Sequence, residues 1–206
     1  MQSKILSWQI AWDVPAFRVK LLLGLFFMGL ILFLLPDFFL YIQGRDGFVV
    51  NDYVLRSIPT EDVSNWIFLV LYPAIGFFIW QLIGHTEMCV TALWGYIFMC
   101  LARMITISLI PLSEPVGLMH MSDPFSILFY GSSVITKDLF FSGHTATLCL
   151  IGLCLENKVQ KRIVFVGTAV LGVLLLIQHI HYTMDVFAAP VFSYLFWYLG
   201  KTIAKI

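Results

Sequence analysis

An all-α, polytopic membrane protein with six transmembrane helices in one bundle is the fold class this 206-residue sequence predicts. Two observations carry that expectation. Hydrophobic residues make up 60% of the chain and charged residues only 12%, about half the charged share of an ordinary soluble domain. The apolar residues are also gathered into runs close to the ~20 residues that a helix needs to cross a bilayer. Six such runs fall at approximately 18–40, 65–84, 88–111, 139–156, 163–182 and 184–203. The formal net charge is zero, so no global field argues for a nucleic-acid partner.

The chain divides into an N-terminal interfacial segment, 1–17, and a six-helix membrane catalytic domain, 18–206. In the first segment Trp8, Trp12 and Phe17 stand among polar positions. That mixture suits a piece lying at the headgroup level, and a frayed tail is the alternative. Asp13 and Pro15 precede the first run, which is too long for a secretory h-region, so a signal peptide is not expected. Pro36, Pro73 and Pro190 lie inside the first, second and sixth runs, where neighbouring helices can re-satisfy the freed carbonyl. The fourth run is short, and its polar start at Ser142 and His144 suggests a mouth at the membrane surface. Between runs, the loop over 112–138 holds the apolar stretch Phe125–Tyr130, read as a re-entrant or surface-lying cover. Cys89, Cys100, Cys149 and Cys154 sit in apolar runs without zinc-type spacing and read as small hydrophobes.

Lys and Arg placement sets the expected orientation. With six spans, Lys4, Arg18, Lys20, Lys158, Lys161, Arg162, Lys201 and Lys205 share a side. Arg45, Arg56 and Lys137 fall on the other, with most of the acids, including Asp46, Asp52, Glu61, Asp62, Glu114 and Asp138. Both termini are therefore expected in the cytoplasm. His144, His181, Asp185 and Arg103 then approach the opposite face, which is periplasm, lumen or exterior.

Those residues can do phosphoryl chemistry together. His181 and Asp185 are four apart and would share one face of a continuous helix. The carboxylate can accept the Nδ1 proton of His181 and free Nε2 to attack or to bind a metal. His144 supplies a second acid or base from another helix. Ser142 and Gly143 allow a tight turn whose backbone N–H groups can hold an oxyanion, and Arg103 adds a planar cation suited to phosphate. Each part alone is weak: His-x-x-x-Asp and Ser-Gly-His are common, and Arg103 can simply pair with Asp138. His179 is read as a supporting hydrogen-bonding residue. His85, His120 and Glu87 are read as outside the site.

Three motifs in order carry a resemblance. They are Arg103-Met-Ile-Thr106 leading to Leu109-Ile-Pro111, then Asp138-Leu-Phe-Phe141-Ser142-Gly143-His144-Thr145, then His179-Ile-His181-Tyr182-Thr183-Met-Asp185-Val186. The chain resembles the type 2 phosphatidic acid phosphatase superfamily, in particular its sphingomyelin-synthase-like branch. The resemblance implies that His181 attacks a lipid phosphate and forms a phosphohistidine, with Asp185 orienting it. It implies that His144 protonates the departing alcohol and then serves as base, while Arg103, Ser142 and Gly143 hold phosphate oxygens. Asp138, His179 and Tyr182 enter as supporting residues. No metal and no cofactor is needed in that scheme, and the expected partners are a donor phospholipid and a lipid alcohol acceptor; a homo-oligomer is also allowed.

The chain departs from the phosphatase members of the superfamily. It has no lysine seven before Arg103, and Met104 stands where proline is usual. Phe141 replaces the proline before Ser-Gly-His, and no Ser-Arg precedes His181. These departures strain the plain phosphatase reading more than the synthase-like one. Three functions stay open at this point: a phospho-headgroup transferase, a lipid phosphate phosphatase, and a non-catalytic lipid-binding or transport protein.

Overall fold

Helix breakers and caps divide the chain where the apolar runs end, as a computed structural model describing residues 7–121 and 135–205 records. Helix α1, Trp8–Asp13, is followed at once by α2, Pro15–Gln43. Pro15 occupies the first turn of α2, where its missing N–H is no loss, so the chain breaks at Val14 and the long helix starts inside the 1–17 segment. The short α3, Tyr53–Arg56, is capped by Asp52, and α4, Ser64–Gly84, and α5, Thr86–Leu109, follow. Helices α6, Gly143–Cys154, α7, Lys158–Ile177, and α8, Thr183–Ala204, complete the order. The Phe125–Tyr130 stretch lies outside the described residues.

Hydrogen bonds between helix ends define two opposite ends of the assembly. At one, Lys20 Nζ donates to Lys205 O at 2.7 Å, and Trp8 Nε1 donates to Ile83 O at 2.6 Å. Gln81 meets Gln160 at 2.9 Å there, and His85 Nδ1 lies 2.8 Å from Gln81 O. At the other, Arg45 donates to Ser108 O at 3.0 Å, Gln178 Nε2 to Ser64 Oγ at 2.7 Å, and Ser142 N–H to Asp185 O at 3.0 Å. The apolar helices α2, α4, α5, α6, α7 and α8 therefore alternate in direction. Five of them are long and apolar enough to cross a membrane. The exception is α6, with 12 residues and a length of about 18 Å. It replaces the run expected over 139–156, because residues 139–142 are non-helical and Leu155 takes an extended conformation.

Large apolar side chains face outward along the helices, as lipid requires: Phe33 on α2 and Phe187 on α8 are 77% and 72% exposed. The inside is tight. Eight of the 12 residues of α6 are buried, among them Leu148 and Ile151. Helices α5 and α8 meet backbone to backbone, since a Cβ on Gly200 would lie 2.4 Å from Thr91 O and 2.8 Å from Gly95 N. Small residues permit such crossings between apolar helices, where packing drives association. Gly200→Ala must part the two helices, and the expected cost is about 1–3 kcal/mol. A lower thermal midpoint in detergent micelles checks this; an unchanged midpoint would show that the close approach is dispensable.

Candidate active site

The turn between α7 and α8 presents His181. Helix α7 ends at Ile177, residues 178–182 form a turn, and α8 begins at Thr183. His179, with φ 55°, gives that turn a left-handed step. No continuous helix joins His181 to Asp185; they lie at the junction of the two runs, as expected, and the pair meets by capping. Asp185 sits in the first turn of α8, where its Oδ2 accepts the Tyr182 N–H at 3.2 Å. The same oxygen lies 3.4 Å from His181 Nδ1. Both side chains are buried, Asp185 completely. A carboxylate at the start of a helix is also favoured by the exposed backbone N–H groups there.

Helix α6 delivers the second histidine. Ser142 caps it, its Oγ accepting the Thr145 N–H at 3.2 Å. The Ser142 N–H donates to Asp185 O, so the two polar segments are joined directly. With its amide and hydroxyl both engaged and its side chain buried, Ser142 serves the fold here. His144, in the first turn of α6, has its ring centroid 6.4 Å from that of His181, with the planes at 63°.

Arg103 comes from the last turns of α5. Its guanidinium pairs with Asp138 at 2.5 Å, donates to Phe141 O, and lies 5.2 Å above the Phe141 ring. A Cβ on Gly143 would meet its Cζ at 3.0 Å. Glycine at 143 thus lets the cation lie flat against the start of α6, beside His144. The guanidinium has five N–H donors in a planar fork, more than these partners use.

The structure gathers His144, His181, Asp185, Arg103, Ser142, Gly143 and Asp138 at one end of the bundle. His179 and Tyr182 point elsewhere. The Tyr182 hydroxyl donates to Ser113 O at 2.9 Å and accepts the Val50 N–H at 3.1 Å, which ties two loops to the start of α8. His85 and Glu87 lie at the opposite end, and His120 is exposed. Among the described residues, no three His, Cys, Asp or Glu side chains gather as a metal-ligand set.

Sequence reasoning counted Asp52 only among the acids of its face. Its Oδ2 accepts the Thr183 N–H at 2.7 Å and its Oδ1 accepts the Thr183 hydroxyl at 3.0 Å. It also caps α3 through Val54 and Leu55. It thereby fixes the first residue of α8, two positions after His181. Only its cap position ahead of Tyr53 was visible in sequence; the partner is 131 residues away. Burial alone would push the Asp52 carboxyl up, but the hydrogen bonds from Thr183, Leu55 and Val54 outweigh it and hold the group below the ordinary carboxylate range. A depressed folded-state value stabilises the fold above the unfolded value, and that contribution disappears as pH falls through the folded value. Acidification below about pH 4 should therefore loosen the α8 start in the wild type. Asp52→Asn should lose this acid dependence, as read by thermal midpoint against pH; an unchanged pH profile in the variant would remove Asp52 from this role.

Alternating apolar helices and an internal cluster of ionisable groups define the class: an integral membrane protein with a polar site at one end of its helices. Residues 137–202 match the family model described as PAP2 superfamily C-terminal. The match spans less than half of the chain; it includes Asp138, Ser142, Gly143, His144, His181 and Asp185, and Arg103 lies outside it. Over these residues the chain is similar to that superfamily, which supports the resemblance read from its motifs. No curated protein and no solved structure matches the chain.

Proposed function

We propose that the protein is a membrane phospho-headgroup transferase working through a phosphohistidine. It moves phosphocholine or phosphoethanolamine from a glycerophospholipid to a lipid alcohol such as ceramide or diacylglycerol. The observation that carries this reading is the buried His181–Asp185 pair facing His144 across 6.4 Å. Asp185 accepts a hydrogen bond from His181 Nδ1–H, which leaves the Nε2 lone pair of His181 available. Its other oxygen, Oδ1, is buried without a hydrogen bond among the described residues, a cost that a cap alone would not explain.

In the first half-reaction His181 Nε2 attacks phosphorus, and the bond from phosphorus to the glycerolipid oxygen breaks. His144 gives its proton to that oxygen. Asp185 stabilises the positive charge that develops on His181, and Arg103 stabilises the equatorial phosphate oxygens. In the second half the acceptor hydroxyl gives its proton to His144 and attacks phosphorus. The N–P bond breaks, and His181 returns to its starting state.

The reading has a sixth crossing, made by α6 together with the non-helical residues beside it. Helix α6 alone is shorter than the ~30 Å hydrocarbon core, but it is enclosed by other helices and needs no lipid contact. The end rich in Lys and Arg faces the cytoplasm with both termini, by the positive-inside rule. The site then opens to the periplasm, lumen or exterior, where both lipids can enter from one leaflet.

Purified protein in mixed micelles with headgroup-labelled phosphatidylcholine and ceramide should transfer label to ceramide. Release of inorganic phosphate from a lipid monoester, without headgroup exchange, would sink the transferase reading and favour water as acceptor. Turnover that survives both His144→Ala and His181→Ala would remove this site from the reaction.

A further inference from the structure

The mechanism above makes no use of His179. This residue is 6% exposed and holds a left-handed backbone, φ 55°. Its ring joins two loops. Nδ1 lies 2.9 Å from Val116 O, and Nε2 lies 3.2 Å from Ile58 O. Carbonyl oxygens only accept. A neutral imidazole has one N–H and one lone pair, so one of the two carbonyls would face a lone pair. The Thr60 hydroxyl, 3.3 Å from Nδ1, can donate to a lone pair there. The Val116 carbonyl, at 2.9 Å, would still oppose that lone pair. Only the imidazolium donates to both carbonyls.

We propose that His179 is a proton-dependent strap: with a proton on each ring nitrogen, it donates to Val116 and Ile58 together and holds the turn that presents His181. Taking the cation out of water has a cost, which two charge-assisted hydrogen bonds offset. The same turn gathers both loops by other bonds. Met119 N–H donates to Gln178 O at 3.1 Å, and Glu61 N–H donates to Ile177 O at 3.3 Å. Gly117 lies close above the ring: with φ 84°, its Cβ would stand 3.4 Å from His179 Nδ1.

The titratable and charged groups on the elements around the ring are known. Asp52, Arg56 and Tyr182 share with it a cavity of about 340 Å³. Glu61 and Asp62 lie on one loop, and Glu114 and His120 on the other. His181 and Asp185 follow on its own side of the turn. Among the described residues, the direct partners of the ring are the two carbonyls and Thr60. Loss of one proton therefore turns an attraction into a repulsion at one carbonyl, and that loop's hold on the turn is weakened.

The effect on turnover rests on the reading of His181 as nucleophile; the strap itself does not. The test uses the full chain in micelles, labelled with ¹⁵N-histidine and titrated between about pH 5 and 9. One of the five histidines, absent from the His179→Asn spectrum, should carry two ring protons at the acid end and lose one at the alkaline end. Asparagine tolerates the left-handed backbone but cannot bridge both carbonyls. Across the same range wild-type turnover should fall about tenfold beyond any fall in His179→Asn, with KM unchanged. A His179 signal with a single ring proton throughout the range overturns the proposal, whatever the activity. If His179→Asn does not fold, Gly117→Ala presses a methyl toward the ring and must shift the same signal; no shift there overturns the proposal too. Failure of the transferase reading would leave the nitrogen signals untouched, so the two ideas fail separately.

Discussion

His181→Ala should leave lipid turnover at background, a loss on the order of 10⁴-fold or more. In the proposed mechanism His181 is the nucleophile, so the variant closes the covalent route. Asp185→Asn should cost on the order of 10²–10⁴-fold for a different reason. Asparagine can still accept the Tyr182 N–H that the carboxylate accepts now, so the start of α8 survives. It cannot stabilise the charge on His181, and its amide can reverse the imidazole tautomer. His144→Ala separates the two halves of the reaction. With an aryl phosphodiester donor, whose leaving group needs no proton, it should still be labelled by the donor. Transfer of the phospho-headgroup from His181 to an acceptor alcohol should be slow, about 10²–10⁴-fold below wild type, so labelled protein accumulates. Absence of any labelled protein, together with normal turnover in Asp185→Asn, would rule out the covalent route.

The second large effect concerns the cation. Arg103→Lys should lower turnover about 10²–10³-fold, because a point charge cannot replace a planar fork that already bonds Phe141 O and Asp138. Gly143→Ala reaches the same group from outside. Its new methyl would stand 3.0 Å from the Arg103 Cζ, and a displacement of that kind can cost about 10²-fold. The two changes act on one contact, so the double variant should fall short of the product of the singles. Turnover and thermal midpoint measured on all four proteins decide it. Wild-type activity in Gly143→Ala, or strict multiplicativity in the double variant, would mean that Arg103 serves only to pair with Asp138.

The candidate site was legible as residue types in order. Ser-Gly-His before an apolar run marks a capped helix start, and His-x-x-x-Asp at a boundary marks a paired imidazole. The way these residues meet was not legible. A continuous helix through His181 was the natural reading of the apolar run up to 182, yet His179 breaks it with a left-handed step. The ring of His179 meets two loop carbonyls, at Ile58 and Val116, more than 60 residues away, and no local pattern announces such partners. Ser142 read as an anion donor, whereas its amide is claimed by Asp185 O. Asp52 could not be singled out, because a helix cap and a clamp on a distant helix look alike in a linear chain.

What the sequence determined by itself follows from solvent and chain chemistry. Long apolar runs must become helices in lipid, because each backbone polar group then finds its partner within its own segment. The bias of Lys and Arg to one set of loops, and the presence of two histidines, a carboxylate and an arginine, are likewise local facts. What only the tertiary structure decided is distance and partnership. The 6.4 Å between the histidine rings comes from packing α6 against α8. The seat of Arg103 on Gly143 comes from packing α5 against α6. These depend on contacts between segments far apart in sequence, and no period or propensity within a segment encodes them.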